Sequence, residues 1–178
     1  MKGIVFTEFL EMVEDKFGYS VLDKVIEDSI SDGVYTAVGT YSHEEMVSLV
    51  VSLSNHSGID ISTLLEAYGV HFFDILLSSY PIFFDKQTST FSFLSSIDNY
   101  IHPEVLKLYP DAELPRFDIV EHTDNSLIMV YYSSRKMSDF AVGLVKGTIK
   151  HFGENIIFDV EKLTDDGSKV QFNFSTAS

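Results

Sequence analysis

The chain has 178 residues, of which 45% are hydrophobic and 13% aromatic, a globular composition long enough for one domain with a real core or two small subdomains that share one. Its formal net charge of −15 argues against nonspecific nucleic-acid binding and against an anionic membrane surface, both of which need clustered Lys and Arg. There is no cysteine, which excludes disulfides, thiolate zinc sites, iron–sulfur clusters and cysteine nucleophiles.

Fifteen phenylalanines and no tryptophan point to an interior rich in rings, some of them lining a cavity as well as filling a core. The opening residues, MKGIVFTEFLEMVEDKFG, are amphipathic and carry four acids, a composition no signal peptide has. No apolar run approaches the ~18 residues that a membrane helix needs. A soluble, cytoplasmic protein is the expectation.

In chain order, Gly3 to Phe17 reads as a helix with Val5, Phe6, Phe9, Leu10, Val13 and Phe17 on one face, stopped by Gly18. Val21 to Ile30 reads as a second, followed by the turn residues Ser31-Asp32-Gly33. Ser42 is the cap expected for a third helix, with His43-Glu44-Glu45 at its positive end and its stop near Gly58. A fourth follows Asp60 and is apolar nearly all round from Phe72 to Leu77, so deep burial is expected. A fifth helical region, from Phe91 toward Phe117, places Ile97, Ile101, Val105 and Leu108 at helical spacing. Beyond Pro115 the texture changes to strands at Phe117–Glu121 and Ser126–Tyr132, a helix from about Lys136 to Phe152, and strands at Asn155–Leu163 and Lys169–Phe174 around the hairpin signal Asp165-Asp166-Gly167. This is an α+β chain: a helical N-terminal part followed by ββαββ with an antiparallel sheet.

His102 stands where packing alone favours a leucine, so it is either a satisfied core histidine or bound to something. Pro103, directly after it, lacks a backbone donor and biases His102 away from α geometry, which predicts a kink or a helix start. None of the six histidines shows a metalloprotease spacing, and neither a phosphate loop nor a nucleophile elbow occurs. The sharpest local pattern is Tyr131-Tyr132-Ser133-Ser134-Arg135. Strand alternation places Tyr131, Ser133 and Arg135 on one side, giving two hydroxyls and a guanidinium suited to carboxylates. The same residues also fit a plain strand end with an exposed arginine.

Tyr131-x-Ser133-x-Arg135, with His102 upstream and Pro115 between, resembles the haem nitric oxide/oxygen binding (H-NOX) domain, a family that includes the sensor domain of soluble guanylate cyclase and stand-alone bacterial gas sensors. The likeness runs from Met1-Lys2-Gly3-Ile4 through Tyr68-Gly69, His102-x-x-Val105-x-x-Leu108-Tyr109-Pro110 and Leu114-Pro115 to Leu144-x-x-Gly147. It implies one H-NOX domain over residues 1–178, with a helical subdomain of about 1–65, an α/β part of about 66–178, and haem b between them. It further implies His102 as the proximal iron ligand, Tyr131, Ser133 and Arg135 on the propionates, and Pro115 pressing the porphyrin out of plane.

By position, the family's distal wall falls on Val5, Phe9, Phe72, Leu76, Phe140 and Leu144, each of which also fits plain core packing. Oxygen-binding members carry a tyrosine at position 140 that donates to bound dioxygen. This chain has Phe140, and none of the other named distal residues is a donor. Nitric oxide and carbon monoxide binding, with oxygen excluded, is therefore expected. The implied mechanism is breakage of the iron–His102 bond, relaxation against Pro115 and rotation of the subdomains. The implied output is a separate partner, a histidine kinase or a cyclic-di-GMP enzyme. Gly143 and Gly147 suggest close approach to haem or sheet, or ordinary helix packing. A haem enzyme of peroxidase or dioxygenase type is disfavoured, because no distal His or Arg is present to cleave an O–O bond. A haem-free module for an apolar ligand or peptide is the other alternative.

Overall fold

The computed structural model describes residues 1–177. Four helices come first: α1 (Ile4–Phe17), α2 (Tyr19–Glu27), α3 (His43–Ser57) and α4 (Ile61–Ser79). The breaks are made by the residues whose chemistry demands them. Gly18 ends α1 at φ 85°, and its N–H donates to the Glu14 carbonyl. Ser42 Oγ accepts the Glu44 N–H at the start of α3, and Gly58 closes that helix at φ 72°. Asp60 precedes α4 without a side-chain cap bond.

Next come α5 (Thr90–Ser95), a π-helical turn at Ile97–Ile101 and α6 (His102–Leu108). Here the expectation at Pro103 is half met. A helix does start at this point, but His102 itself holds regular α geometry, with φ −60° and ψ −42°. The irregularity sits one turn earlier, where the Ile101 N–H donates to the Ser96 carbonyl, five residues back. The wide turn shifts the chain off the α ladder, so Pro103 falls in the first turn of α6, where a missing N–H leaves no bond broken.

Strands β1 (Arg116–His122), β2 (Ser126–Tyr132), β3 (Ile156–Lys162) and β4 (Lys169–Thr176) form one antiparallel sheet in the order β1-β2-β4-β3, and α7 (Ser138–Phe152) crosses one face. The α+β reading therefore stands. On the covered face Leu127, Met129 and Tyr131 lie opposite Phe174, Phe172 and Val170, all of them buried.

Two apolar clusters make the interior. One joins α1, α2 and α3 to Leu64, Tyr68 and Phe72 of α4. The other joins the sheet and α7 to Phe73 of the same helix. Consecutive residues of α4 thus serve different cores. At 19 residues and mean hydropathy 1.2, α4 is also long and apolar enough to cross a membrane by length and composition, contrary to the expectation that no segment is. The charged residues Glu66 and Asp74 break the run when it is read as a string, but not when it is read as a helix.

Gly143 and Gly147 face neither the cavity described below nor the sheet. A Cβ on Gly143 would fall on the Glu66 carbonyl oxygen, one on Gly147 on the Phe73 ring, and one on Gly69 on the Phe140 carbonyl oxygen. The glycines let α4 and α7 touch backbone to backbone, and the Lys146–Glu66 ion pair (2.5 Å) spans the same contact.

Candidate functional site

Between the two cores lies a cavity of about 270 Å³. It is bounded by the first turn of α1, the second half of α4, the π turn with α6, the segment before β1, the end of β2 and the first half of α7. Of the residues singled out from sequence, Val5, Phe72, Leu76, His102, Pro115, Tyr131, Ser133, Arg135, Phe140 and Leu144 all line it. Phe9 does not. It is fully buried one turn deeper on α1, edge-on to Tyr68 at 5.2 Å, because only the first turn of that helix reaches the cavity.

On the α6 side, the His102 ring is tied through Nδ1 to Asp98 Oδ1 at 2.8 Å, one helical turn back. Asp98 Oδ2 accepts the Phe117 N–H, also at 2.8 Å. Among the described residues Asp98 is the acid that faces Nδ1, in an ion-pair contact without hydrogen-bond geometry that leaves Oδ1 with no hydrogen-bond partner, and His102 lines the cavity. Burial lowers the His102 pKa, and the Asp98 carboxylate opposes that shift. Burial thus favours the neutral imidazole, the form that binds a metal. Sequence reasoning missed Asp98. Its signal was the spacing Asp98-x-x-x-His102, four apart and hence on one helical face.

The hydroxyl–guanidinium group assembles, though not by strand alternation. β2 ends at Tyr132 and a turn follows. Within it the Ser133 N–H donates to the Ser168 carbonyl, the Arg135 N–H donates to Ser133 Oγ, and Lys136 takes a positive φ of 56°. The turn brings Arg135 back over the cavity rim. Its Nη1 donates to the Glu113 carbonyl at 2.5 Å and its Nη2 to the Glu113 carboxylate at 2.6 Å. Burial pushes the Tyr131 phenol up, opposed by Ser133, the Met137 main chain and the Arg135 charge. Beyond Arg135 a second hollow of about 280 Å³ is polar, with Met1, Lys2, Thr40, Ser42 and His43 on its walls. Burial lowers the pKa of the Met1 ammonium and of His43, and the nearby Arg135 charge lowers both further. No motif in the sequence marks that hollow.

The opposite wall is made of rings and aliphatic chains. Phe140 stands 5.6 Å from Phe72 and 5.1 Å from Tyr68, centroid to centroid. Tyr68 is fully buried behind this wall and donates its hydroxyl to the Val5 carbonyl at 2.5 Å, so it offers no donor to the cavity. Thr148 lines the cavity, but its hydroxyl donates back to the Leu144 carbonyl. Tyr80 and Tyr109 also line it, and their hydroxyls bond to each other at 2.7 Å. None of these three hydroxyls was assigned to the site from sequence, although Tyr109 stands in the motif that carries the resemblance.

A slot with these walls suits a flat apolar ring that carries carboxylates on one edge and a metal at its centre, which is how haem is built. The fold and the site define a haem-based gas-sensor domain. The chain belongs to the haem-NO-binding family, whose model matches residues 2–160.

The structure is similar to the Fe(II) unliganded H-NOX protein from K. algicida, at 46% identity and TM-score 0.96, covering all of this chain and 97% of that one. It is similar to an H-NOX protein from S. oneidensis solved in the Fe(II)NO state, at 27% identity and TM-score 0.91, with full coverage of both chains. It is also similar to the IWP-051-bound H-NOX from Shewanella woodyi in the Fe(II)CO state, at 38% identity and TM-score 0.84, covering 99% and 95%. Among curated proteins no match to this chain was found.

Proposed function

We propose that the chain holds haem b with His102 on the iron, binds nitric oxide and carbon monoxide, excludes oxygen, and signals to a separate partner protein, a histidine kinase or a cyclic-di-GMP enzyme. The observation that carries this reading is the pairing of one buried imidazole on one wall with an opposite wall that, among the described residues, offers no free donor near Phe140. A donor on that wall would favour oxygen selectively, so its lack would weaken oxygen more than nitric oxide or carbon monoxide. Two similar proteins were solved with nitric oxide and with carbon monoxide bound, which supports the same ligands here.

When bound, ferrous haem would supply the iron that takes the gas, with His102 as the residue that would hold that iron. The rest is done by the chain. Tyr131, Ser133 and Arg135 would receive the carboxylates, with each charge-assisted bond worth about 1.5–3 kcal/mol in a dry site. Pro115 bears on the ring from the His102 side. Release of His102 would free α6, and the helical part, about residues 1–65, would then rotate against the rest. A partner that reads this as a switch must favour one state by about 5 kcal/mol.

The test is an absorption spectrum of the purified ferrous protein, alone and with nitric oxide, carbon monoxide and air. A Soret band that shifts with the first two gases and not with air is expected. A colourless protein overturns the haem assignment, and a stable oxygen complex overturns the selectivity.

A further inference from the structure

The segment Glu113-Leu114-Pro115-Arg116-Phe117 is fastened at both ends by side chains that belong to the site. At its far end the Phe117 N–H is held by Asp98, the carboxylate whose other oxygen lies 2.8 Å from His102 Nδ1. At its near end Glu113 is gripped twice by Arg135, once through the main-chain carbonyl and once through the carboxylate. Pro115 sits between the two fastenings and lines the cavity.

We infer that Glu113 is a positioning residue that sets how firmly Pro115 presses on the cavity's occupant, by tying the Pro115 segment to Arg135. The inference rests on the haem reading above. A guanidinium has five N–H groups in a fixed fork, and Glu113 takes two of them. Three remain for a carboxylate of the bound ring, so one side chain joins that carboxylate to the segment bearing the wedge.

The two bonds have different characters. Arg135 is largely covered, at 15% side-chain exposure, whereas the Glu113 side chain is 84% exposed. An exposed ion pair taken alone contributes little. The carbonyl bond therefore holds the backbone in place, and the carboxylate bond fixes the plane of the guanidinium from which that bond is made. Removing the carboxylate lets the guanidinium turn, and the segment with Pro115 recedes from the ring. A lysine at 113 repels Arg135 and drives the segment further off.

The experiment uses resonance Raman spectra of the haem-loaded full chain, reading the out-of-plane porphyrin bands that report ring distortion. Wild type is compared with E113Q, E113A, E113K and P115A. Pro115 and Glu113 act on one contact, so their effects should overlap instead of adding. The expected result is that E113A lowers these bands by roughly half of the loss seen in P115A, with E113K lowering them more. E113Q, which keeps an acceptor oxygen, should stay near wild type, and E113A should add nothing in a P115A background.

A purely structural role for Glu113 would lower the melting temperature and leave the bands unchanged, which overturns the inference. Equal and additive losses from E113A and P115A overturn it as well. Wild-type protein that takes up no haem overturns the haem reading itself, an outcome visible before any variant is compared.

Discussion

Asp98 and His102 form a carboxylate–imidazole pair with Oδ1 2.8 Å from Nδ1, and the other Asp98 oxygen is fixed by the Phe117 amide. The carboxylate therefore lies against the Nδ1 edge of the ring. Outer partners of this kind are worth roughly 10–100-fold in metal affinity. D98A is expected to weaken haem retention by roughly that factor and to lower the iron–histidine stretching frequency, with D98N in between. Transfer of haem to apomyoglobin and a Raman spectrum of the ferrous protein check this. Unchanged values in D98A would remove Asp98 from the site.

Replacing His102 by Gly removes the cavity's imidazole and leaves a space of that shape. H102G is expected to purify without haem and to regain a Soret band when imidazole is added. Haem retained by H102G without imidazole would show that another group ligates the iron.

Phe140 packs tilted against Phe72 and Tyr68, and the Tyr68 phenol donates to the Val5 carbonyl and not into the cavity. F140Y introduces one phenol at that place. The expected outcome is a ferrous protein that forms an oxygen complex lasting long enough for an absorption scan, while wild type does not. Nitric oxide binding should persist in both. Identical behaviour in air would show that position 140 does not control selectivity.

The backbone contact between α4 and α7 leaves no room for a methyl group at Gly143. G143A is expected to destabilise the fold by about 1–3 kcal/mol, as overpacking does elsewhere. Thermal unfolding of the variant should show a melting temperature several degrees lower. G153A offers a contrast: a Cβ there meets open space, and its cost comes from the positive φ of 66°.

In the haem-free chain, burial holds the His102 pKa below its unfolded value of about 6.5. Above that value both states are neutral and the group contributes no pH dependence. As pH falls through it, the unfolded chain takes up the proton first, so stability is lost until the folded pKa is reached. Denaturant melts of apoprotein at about pH 7.5 and about pH 5.5 should show a smaller loss in H102Q than in wild type. Equal losses would mean that His102 does not carry this linkage.

Much of the fold was readable because the residues that end elements have local reasons to do so. Gly18, Ser42, Gly58 and Gly153 act within one turn of themselves, and each breaks the chain where the sequence implied. What depends on neighbours remote in sequence was not readable. The π turn before His102 packs against α5 and β1, elements that the local sequence does not name, and no residue in it announces a wide turn. Gly143 and Gly147 invited a reading toward haem or sheet because their true partner, α4, lies far back in the chain. Phe9 shares a face with Val5, yet only the first turn of α1 reaches the cavity, which the spacing alone does not reveal. The Tyr-x-Ser-x-Arg trio did converge, but through a turn whose geometry hangs on Ser133 accepting the Arg135 amide.

The divided loyalty of α4 has a mechanical consequence. Phe72 belongs with the helices and Phe73 with the sheet, yet the glycine contact and the Lys146–Glu66 pair bolt α4 to α7. If the two halves turn against each other, the fault line must then run between α1 and α4, where smooth aromatic surfaces meet. The polar rivet between Tyr68 and the Val5 carbonyl crosses that line. Displacing Val5 against Phe140 reshapes the cavity, so the seam that slips would also be the one that feels what the cavity holds.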